Sequence, residues 1–335
     1  MGHTATVIIL TKKRNKGWEP FENQMTIMYL PFSSYGTGIL FFIPFLLSKK
    51  TGKFNFTFSS QTLINGILGL SKRLGFFRNA KLILRESNSI FELMAGRKLK
   101  IYRAFYGFGY RKSSLVVCQT TYMKDQLVNA LPALTKNLNL RVIPNPINFT
   151  DISIKSKEII TWTEGKNYLV AAGRLVPAKG FDLLIDSFHV LSSNHPDLLL
   201  MILGAGRDKD KLIQQCDKLG LQDKVFFPGY VSNVYPYFRD ARACVLSSRI
   251  EGFPNVLLQM MSQNTKVVAT LSAGDIDKIP GIFTCIPNST EVLTKAIEDC
   301  LRTDTTQNRI LFDNYLSQRT QESFYLGISR ALAES

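Results

Sequence analysis

The chain has 335 residues, 45% of them hydrophobic and 20% charged. That balance excludes global disorder and leaves room for two α/β domains with separate cores. The net charge of +15 is concentrated, because residues 1–150 hold 21 Lys and Arg against 5 Asp and Glu while the remainder holds 20 against 21. So basic a half suits an anionic membrane surface or nucleic acid. No zinc-finger spacing, basic heptad or aromatic RNA-binding strand pattern accompanies it, which argues against nucleic acid. A basic surface that serves only solubility is the plainer alternative.

Taken in chain order, Gly2-His3 satisfies a myristoylation pattern literally but more simply opens a strand, TATVIILT, over 4–11. That run is short and is followed, not preceded, by Lys-Lys-Arg, so no secretory signal is read there. The longest apolar run, ILFFIPFLL at 39–47, is roughly half a membrane span. It reads either as core or, with the Ser-Lys-Lys that follows, as an interfacial helix. Further strands are expected at 54–59 (FNFTFS), 80–86 (AKLILRE), 114–120 (SLVVCQT) and 140–145 (LRVIPN). Residues 96–112, GRKLKIYRAFYGFGYRK, again combine aromatic side chains with Lys and Arg as an interfacial helix would.

Residues 144–165 carry Pro144, Pro146 and a cluster of Ser, Thr and Asn, and are read as a loose linker. Beyond it, strands are expected at 167–173, 198–204, 224–229, 243–248 and 265–270. Helical periodicity separates them; in 181–194, Leu184, Ile185, Phe188 and Leu191 share one face. Such alternation with continuous apolar strands means parallel sheets covered on both faces. The expected architecture is two doubly wound domains, 1–148 and 149–315, facing each other across a cleft. A closing helix over 316–335 is expected to pack back toward the first domain.

Cys118, Cys216, Cys244, Cys285 and Cys300 form no C-x-x-C pair and are odd in number, which fits a reducing cytoplasm. His3, His189 and His195 are far apart in sequence, so neither a histidine metal site nor a Ser-His-Asp triad is expected.

Ligands of open α/β sheets sit beyond the carboxyl ends of strands, where loops meet helix N-termini. Three loops of the second half carry suitable chemistry. In 169–188, a buried strand ends at Gly173, Arg174 and Lys179 occupy the loop, and Gly180 precedes the helix. Two cations beside unpaired helix amides make an anion site suited to a diphosphate; the plainer reading is a solvated basic loop. In LMILGAGRDKDKL, Gly204 and Gly206 allow close approach of a ligand. The third glycine of a dinucleotide fingerprint is missing there, so a nicotinamide-dependent oxidoreductase is set aside. Asp-Lys-Asp at 208–210 and Asp-Ile-Asp at 275–277 look like a metal-binding D-x-D but read as a helix start and a loop, and no metal site is assigned.

The third loop lies in SSRIEGFPNVLLQMM, residues 247–261, where Arg249 to Pro254 lead from a strand into a helix. The amides of Asn255 and Val256 suit phosphate oxygens. A carboxylate beside phosphate would repel it unless it pointed elsewhere, so Glu251 suits the hydroxyls of a sugar. Its plainer reading is an acid that complements the helix dipole.

AAGRLVPAKGFDLLIDSF and SSRIEGFPNVLLQMM, with FPGYVSNVYPYFRDA between them, resemble the donor-site motifs of the family-4 glycosyltransferases of the GT-B fold. The resemblance covers nearly the whole chain and is strongest in the C-terminal half. It implies retaining transfer of a sugar from a nucleotide-diphosphate donor, without metal or other cofactor. The acceptor it implies is a glycan or a polyprenyl-diphosphate-linked glycan of bacterial surface polysaccharide, O-antigen or capsule. By motif position, Arg174 and Lys179 would bind the diphosphate and stabilise its leaving charge, and Glu251 would contact the donor sugar. Gly173, Gly204, Gly252, Phe253, Asn255 and Val256 would line the donor site, with Gly229, Tyr230 and Val231 near the base.

Three departures stand out. The family pattern is E-x7-E, whose second acid binds the ribose hydroxyls; here that position is Gln259. Many members carry a histidine in the N-terminal domain near the reacting carbon, whereas LILRESNSIF holds none and offers Glu86 and Asn88 to the cleft, with Arg85 pairing Glu86 as the plainer role. TATVIILT resembles the family's second strand, so the first strand, its glycine-rich loop and the helix after it are expected to be missing from this sequence, either because its recorded start is too late or because the chain is a remnant with a damaged acceptor-side cleft. These departures keep a second reading open, a non-catalytic nucleotide-sugar-binding remnant. The family's membrane-linked acceptors and the basic first half together lead to an expected location in the cytoplasm, peripheral to the inner face of the membrane.

Overall fold

The computed structural model describes residues 4–14, 16–47, 54–77 and 79–334. The Gly2-His3 opening and the Ser-Lys-Lys end of the 39–50 segment lie outside the described residues. The chain divides into two compact units: Met1–Arg85 with Ile101–Ser114, and Glu86–Lys100 with Leu115–Ser335.

In the first unit, β1 (Thr6–Ile9) pairs in parallel with β2 (Thr26–Tyr29), Thr6 opposite Thr26 and Ile9 opposite Tyr29. β2 was not expected from the sequence, although it lies in the mostly apolar run 25–32. β3 (Phe56–Ser59) runs parallel to β4 (Lys81–Glu86). Tyr106 and Tyr110 are almost wholly buried, and Asn65 on the helix Thr62–Arg73 donates to the Tyr110 hydroxyl at 2.9 Å. The aromatic face of 96–112 is thus core at these two positions rather than interfacial: Asn65, itself buried, gives the Tyr110 hydroxyl a polar partner away from water. The basic side chains of Arg111 and Lys112 in this unit, and of Arg97, Lys98 and Lys100 in the second, are exposed.

In the second unit, β5 (Leu115–Cys118) pairs in parallel with β6 (Leu140–Val142). Six further strands form one sheet: β7 (Tyr168–Ala172), β8 (Leu199–Leu203), β9 (Val225–Gly229), β10 (Ala243–Leu246), β11 (Val267–Thr270) and β12 (Phe283–Cys285). Their order is β12-β11-β10-β7-β8-β9 and every pairing is parallel. β12, an edge strand of three residues, was likewise not expected. Leu184, Ile185, Phe188 and Leu191 are completely buried on one face of the sheet, as their periodicity requires. The helices Asn255–Gln263 and Asn308–Ser317 cover the other face.

The segment expected to be a loose linker is ordered instead. Asn148 caps a helix, Phe149–Lys155, by accepting from the Asp151 amide at 3.1 Å. The last helix, Gln321–Ala333, runs along residues 139–147: Asn139 donates to the Ala331 carbonyl at 2.7 Å, and Arg141 pairs with Glu334 at 2.8 Å. No helix among the described residues is long and apolar enough to cross a membrane.

Sheet order fixes where a ligand fits. From β7 the chain steps outward to β8 and β9, then returns to β10 on the other side of β7 and steps outward again. The loops after β7 and β10 therefore leave the sheet side by side in opposite directions, which is the topological switch point of a doubly wound sheet. They are the loops that hold Arg174 with Lys179, and Glu251.

Candidate functional site

The loop after β7 is built around a left-handed residue. Gly180 has φ +62°, and a Cβ there would lie 2.1 Å from the Ser247 carbonyl oxygen. Only glycine allows the helix Phe181–Asn194 to start so close to the loop after β10. The two loops are then laced together. The Arg249 amide donates to the Ala178 carbonyl at 2.8 Å, and the Ser247 hydroxyl donates to the Lys179 carbonyl at 3.0 Å. The Arg249 guanidinium donates to both carboxylate oxygens of Asp182, at 2.7 and 2.6 Å, and to the Pro177 carbonyl at 2.7 Å. Burial would raise the Asp182 carboxyl, but the bonds from Arg249 outweigh it and hold it below the ordinary carboxylate value.

This lacing brings together two residues 72 apart in sequence: the Lys179 ammonium donates to Glu251 Oε1 in a largely buried ion pair. The Ser248 hydroxyl donates to the same oxygen at 2.7 Å. The Glu251 amide donates to the Ser272 carbonyl at 2.7 Å, which anchors the backbone from the loop after β11. Arg174 leaves the loop five positions before Lys179. Its side chain is exposed and has no hydrogen bond or ion pair to a described residue. The expected cation pair thus divides into one lysine already engaged and one arginine with no partner among the described residues.

Gly252 packs against the loop that ends β4: a Cβ there would lie 2.1 Å from the Ser87 carbonyl oxygen. The flanking sequence candidates differ in exposure. Glu86 is buried, 2% exposed, whereas Asn88 is exposed. Phe253 is buried beneath the Arg319 guanidinium, 5.2 Å from its ring centroid. Pro254 leads into the helix Asn255–Gln263, whose first amides, those of Asn255 and Val256, have no intrahelical acceptor. Buried Asn145 donates to Asn255 Oδ1 at 2.6 Å and to Gln119 Oε1 at 3.0 Å, and so ties the helix start to the segment after β6.

Asn145, Gln119, Ser248 and Arg319 were not singled out from the sequence. Ser248 alone had a local signal, lying three residues before Glu251. One turn beyond Asn255, Gln259 donates weakly to the Tyr235 hydroxyl at 3.4 Å. Burial raises the Tyr235 phenol above its ordinary value, so it stays protonated.

Gly173, Gly204 and Gly229 follow or close neighbouring strands. The Gly173 amide donates to the Leu203 carbonyl at 2.9 Å, and the Gly204 amide donates to the Gly229 carbonyl at 2.8 Å. Tyr230, 77% exposed, and Val231 come next at the sheet's edge. Among the described residues no group of three or more His, Cys, Asp or Glu is arranged to hold a metal ion. Asp208 starts a helix, and Asp275 accepts from the Thr121 amide at 2.6 Å and from Lys278 at 2.7 Å.

Residues 153–311 match the family described as glycosyl transferases group 1. The chain is similar to an uncharacterised glycosyltransferase of Methanocaldococcus jannaschii, 28% identical over 214 residues that cover 61% of this chain and 51% of that protein. It is also similar to the N-acetylgalactosamine-N,N'-diacetylbacillosaminyl-diphospho-undecaprenol 4-alpha-N-acetylgalactosaminyltransferase of Campylobacter jejuni, 30% identical over 161 residues covering 48% of this chain and 42% of that one. The chain thus spans about half the length of the curated relatives it matches. Among solved structures, Anabaena HepE in complex with UDP matches with a TM-score of 0.77 and 16% identity, over 99% of this chain and 100% of that chain. That likeness shows the fold, which is GT-B.

Proposed function

Residues 153–311 belong to the glycosyl transferases group 1 family, and on that premise we propose that the chain is a glycosyltransferase. It moves a sugar from a nucleotide-diphosphate donor, with retention at the anomeric carbon, to a glycan or lipid-linked acceptor used in bacterial surface polysaccharide.

One observation carries this reading. Lys179 and Glu251 meet at the switch point beside the open start of the helix Asn255–Gln263. A lysine, an exposed arginine and unpaired helix amides are what a diphosphate needs, and a carboxylate is what sugar hydroxyls need. As the bond between sugar and diphosphate breaks, negative charge collects on the leaving phosphate. Arg174, Lys179 and the amides of Asn255 and Val256 are set to stabilise that charge without reorganising. On this reading the donor's charge is met by the protein itself, and no metal ion is required. Similarity to a transferase whose named acceptor is a diphospho-undecaprenol-linked sugar supports a lipid-linked acceptor. The exposed basic side chains of Arg97, Lys98, Lys100, Arg111 and Lys112 support its presentation at an anionic membrane surface on the cytoplasmic side.

The test is a panel of UDP-, GDP- and ADP-sugars, followed for binding by calorimetry and for slow hydrolysis of the sugar–phosphate bond, with and without EDTA. Binding of one nucleotide class and hydrolysis that EDTA leaves unchanged are expected. NMR of the released sugar should show the donor's anomeric configuration. Absence of binding by every nucleotide sugar would refute the proposal, and tight binding with no turnover on any acceptor would identify a nucleotide-sugar-binding protein instead.

A further inference from the structure

Glu251 is held by one oxygen only. Lys179 and Ser248 both donate to Oε1, whereas Oε2 makes no hydrogen bond to a described residue and the Glu251 side chain keeps 15% of its surface exposed. Ser248 is itself immobilised. It is 1% exposed, and its carbonyl accepts from the buried Thr270 hydroxyl at 2.5 Å. With the Glu251 amide fixed on the Ser272 carbonyl, the turn from Ser248 to Glu251 is anchored at one end by the last residue of β11 and at the other by the loop after it.

We infer that Ser248 is a positioning residue for donor recognition: it pins Glu251 by Oε1 and so reserves Oε2 for a hydroxyl of the donor sugar. The physical reason lies in the softness of the carboxylate's last torsion, which is broad and two-fold. With only a lysine as partner, the carboxylate would turn to offer that ammonium either oxygen, and the sugar hydroxyl would compete with Lys179 for both. A hydroxyl donor fixed on Oε1 from a buried serine breaks that symmetry. It also leaves Lys179 sharing an oxygen rather than holding the whole carboxylate, so its remaining protons stay available to the diphosphate. Ser248 touches no substrate in this arrangement and acts through Glu251.

This inference rests on the proposed donor site, and the experiment separates the two. Calorimetry on the full chain uses UDP with UDP-glucose, and GDP with GDP-mannose as the second pair. The proteins are the wild type, Ser248→Ala, Ser248→Thr, Glu251→Gln and the double variant Ser248→Ala/Glu251→Gln. Ser248→Ala should weaken the nucleotide sugar about tenfold while leaving its parent diphosphate within about twofold, because a hydrogen bond to a charged group is lost on the sugar side alone. Ser248→Thr, which keeps the hydroxyl, should recover affinity to within about threefold of wild type. In the Glu251→Gln background, Ser248→Ala should change sugar-nucleotide affinity less than about twofold, since the two residues act as one unit. Equal weakening of diphosphate and nucleotide sugar, or no change in either, would reduce Ser248 to a loop-folding residue and overturn the inference. Failure of the wild type to bind both pairs would overturn the donor-site reading itself, and this inference with it.

Discussion

Arg174 and Lys179 leave one loop but have different surroundings, and substitution should separate them. Arg174 is exposed and unpaired among the described residues, so Arg174→Ala is expected to leave thermal stability unchanged while turnover falls sharply. Lys179 is paired with Glu251 in a site where each side chain is about 15% exposed. Lys179→Ala should therefore lower turnover and also cost on the order of 2 kcal/mol, because it leaves a carboxylate without its partner in a poorly solvated place. Chemical denaturation and initial rates measure both. Gln259 offers the opposite kind of test. A carboxylate there would accept ribose hydroxyls with charge assistance and would still accept from the protonated Tyr235 hydroxyl. Gln259→Glu should tighten nucleotide binding by on the order of 1 kcal/mol, several-fold in Kd by calorimetry. No gain in affinity would place the ribose elsewhere.

The elements around the site are held by a few polar clasps between loops. Of these, the Asp182–Arg249 pair joins the start of the helix Phe181–Asn194 to the loop after β10. Its pH dependence has a definite sign. Asp182 has a folded value below its ordinary 3.8, so the pair's stabilisation is complete above that value and is lost as pH falls through the lower folded one. Asp182→Asn should accordingly melt below wild type at pH 7, and the gap between the two should shrink at about pH 3. Both partners are partly exposed, so solvent screens the pair and the gap at neutral pH should be modest. A gap that widens in acid would remove the clasp from the account. Most strands at this scale were legible as apolar runs between turn signals, as in β7 and β8, which are buried nearly throughout. β2 and β12 were not, although each lies in a mostly apolar stretch and is fixed by parallel pairing with a neighbouring strand.

For the whole molecule, the uneven charge remains the feature with the longest reach. The 21 basic residues of the first 150 include an exposed series at Arg97, Lys98, Lys100, Arg111 and Lys112. Cations near an anionic bilayer contribute about 1 kcal/mol each, an attraction that salt screens over a Debye length of about 10 Å at 0.1 M. The protein is expected to sediment with phosphatidylserine-containing vesicles at low salt, to be released at about 0.5 M salt, and to ignore neutral vesicles. Sedimentation unaffected by salt would point to apolar insertion, and no sedimentation at low salt would end the membrane proposal.

The sequence by itself determined the alternation of strands and helices, the buried face of 181–194 and the two loops that bear the cations and the acid. Each of these is a local property: side-chain period, the reach of a helix start, the conformations open to glycine. Tertiary structure alone decided that Lys179 meets Glu251, that Ser248 and Asn145 support the site, and that Tyr106 and Tyr110 are core. Those outcomes depend on which strands become neighbours in the sheet. Sheet order is set by packing between residues far apart in the chain, and no window along the sequence contains both partners.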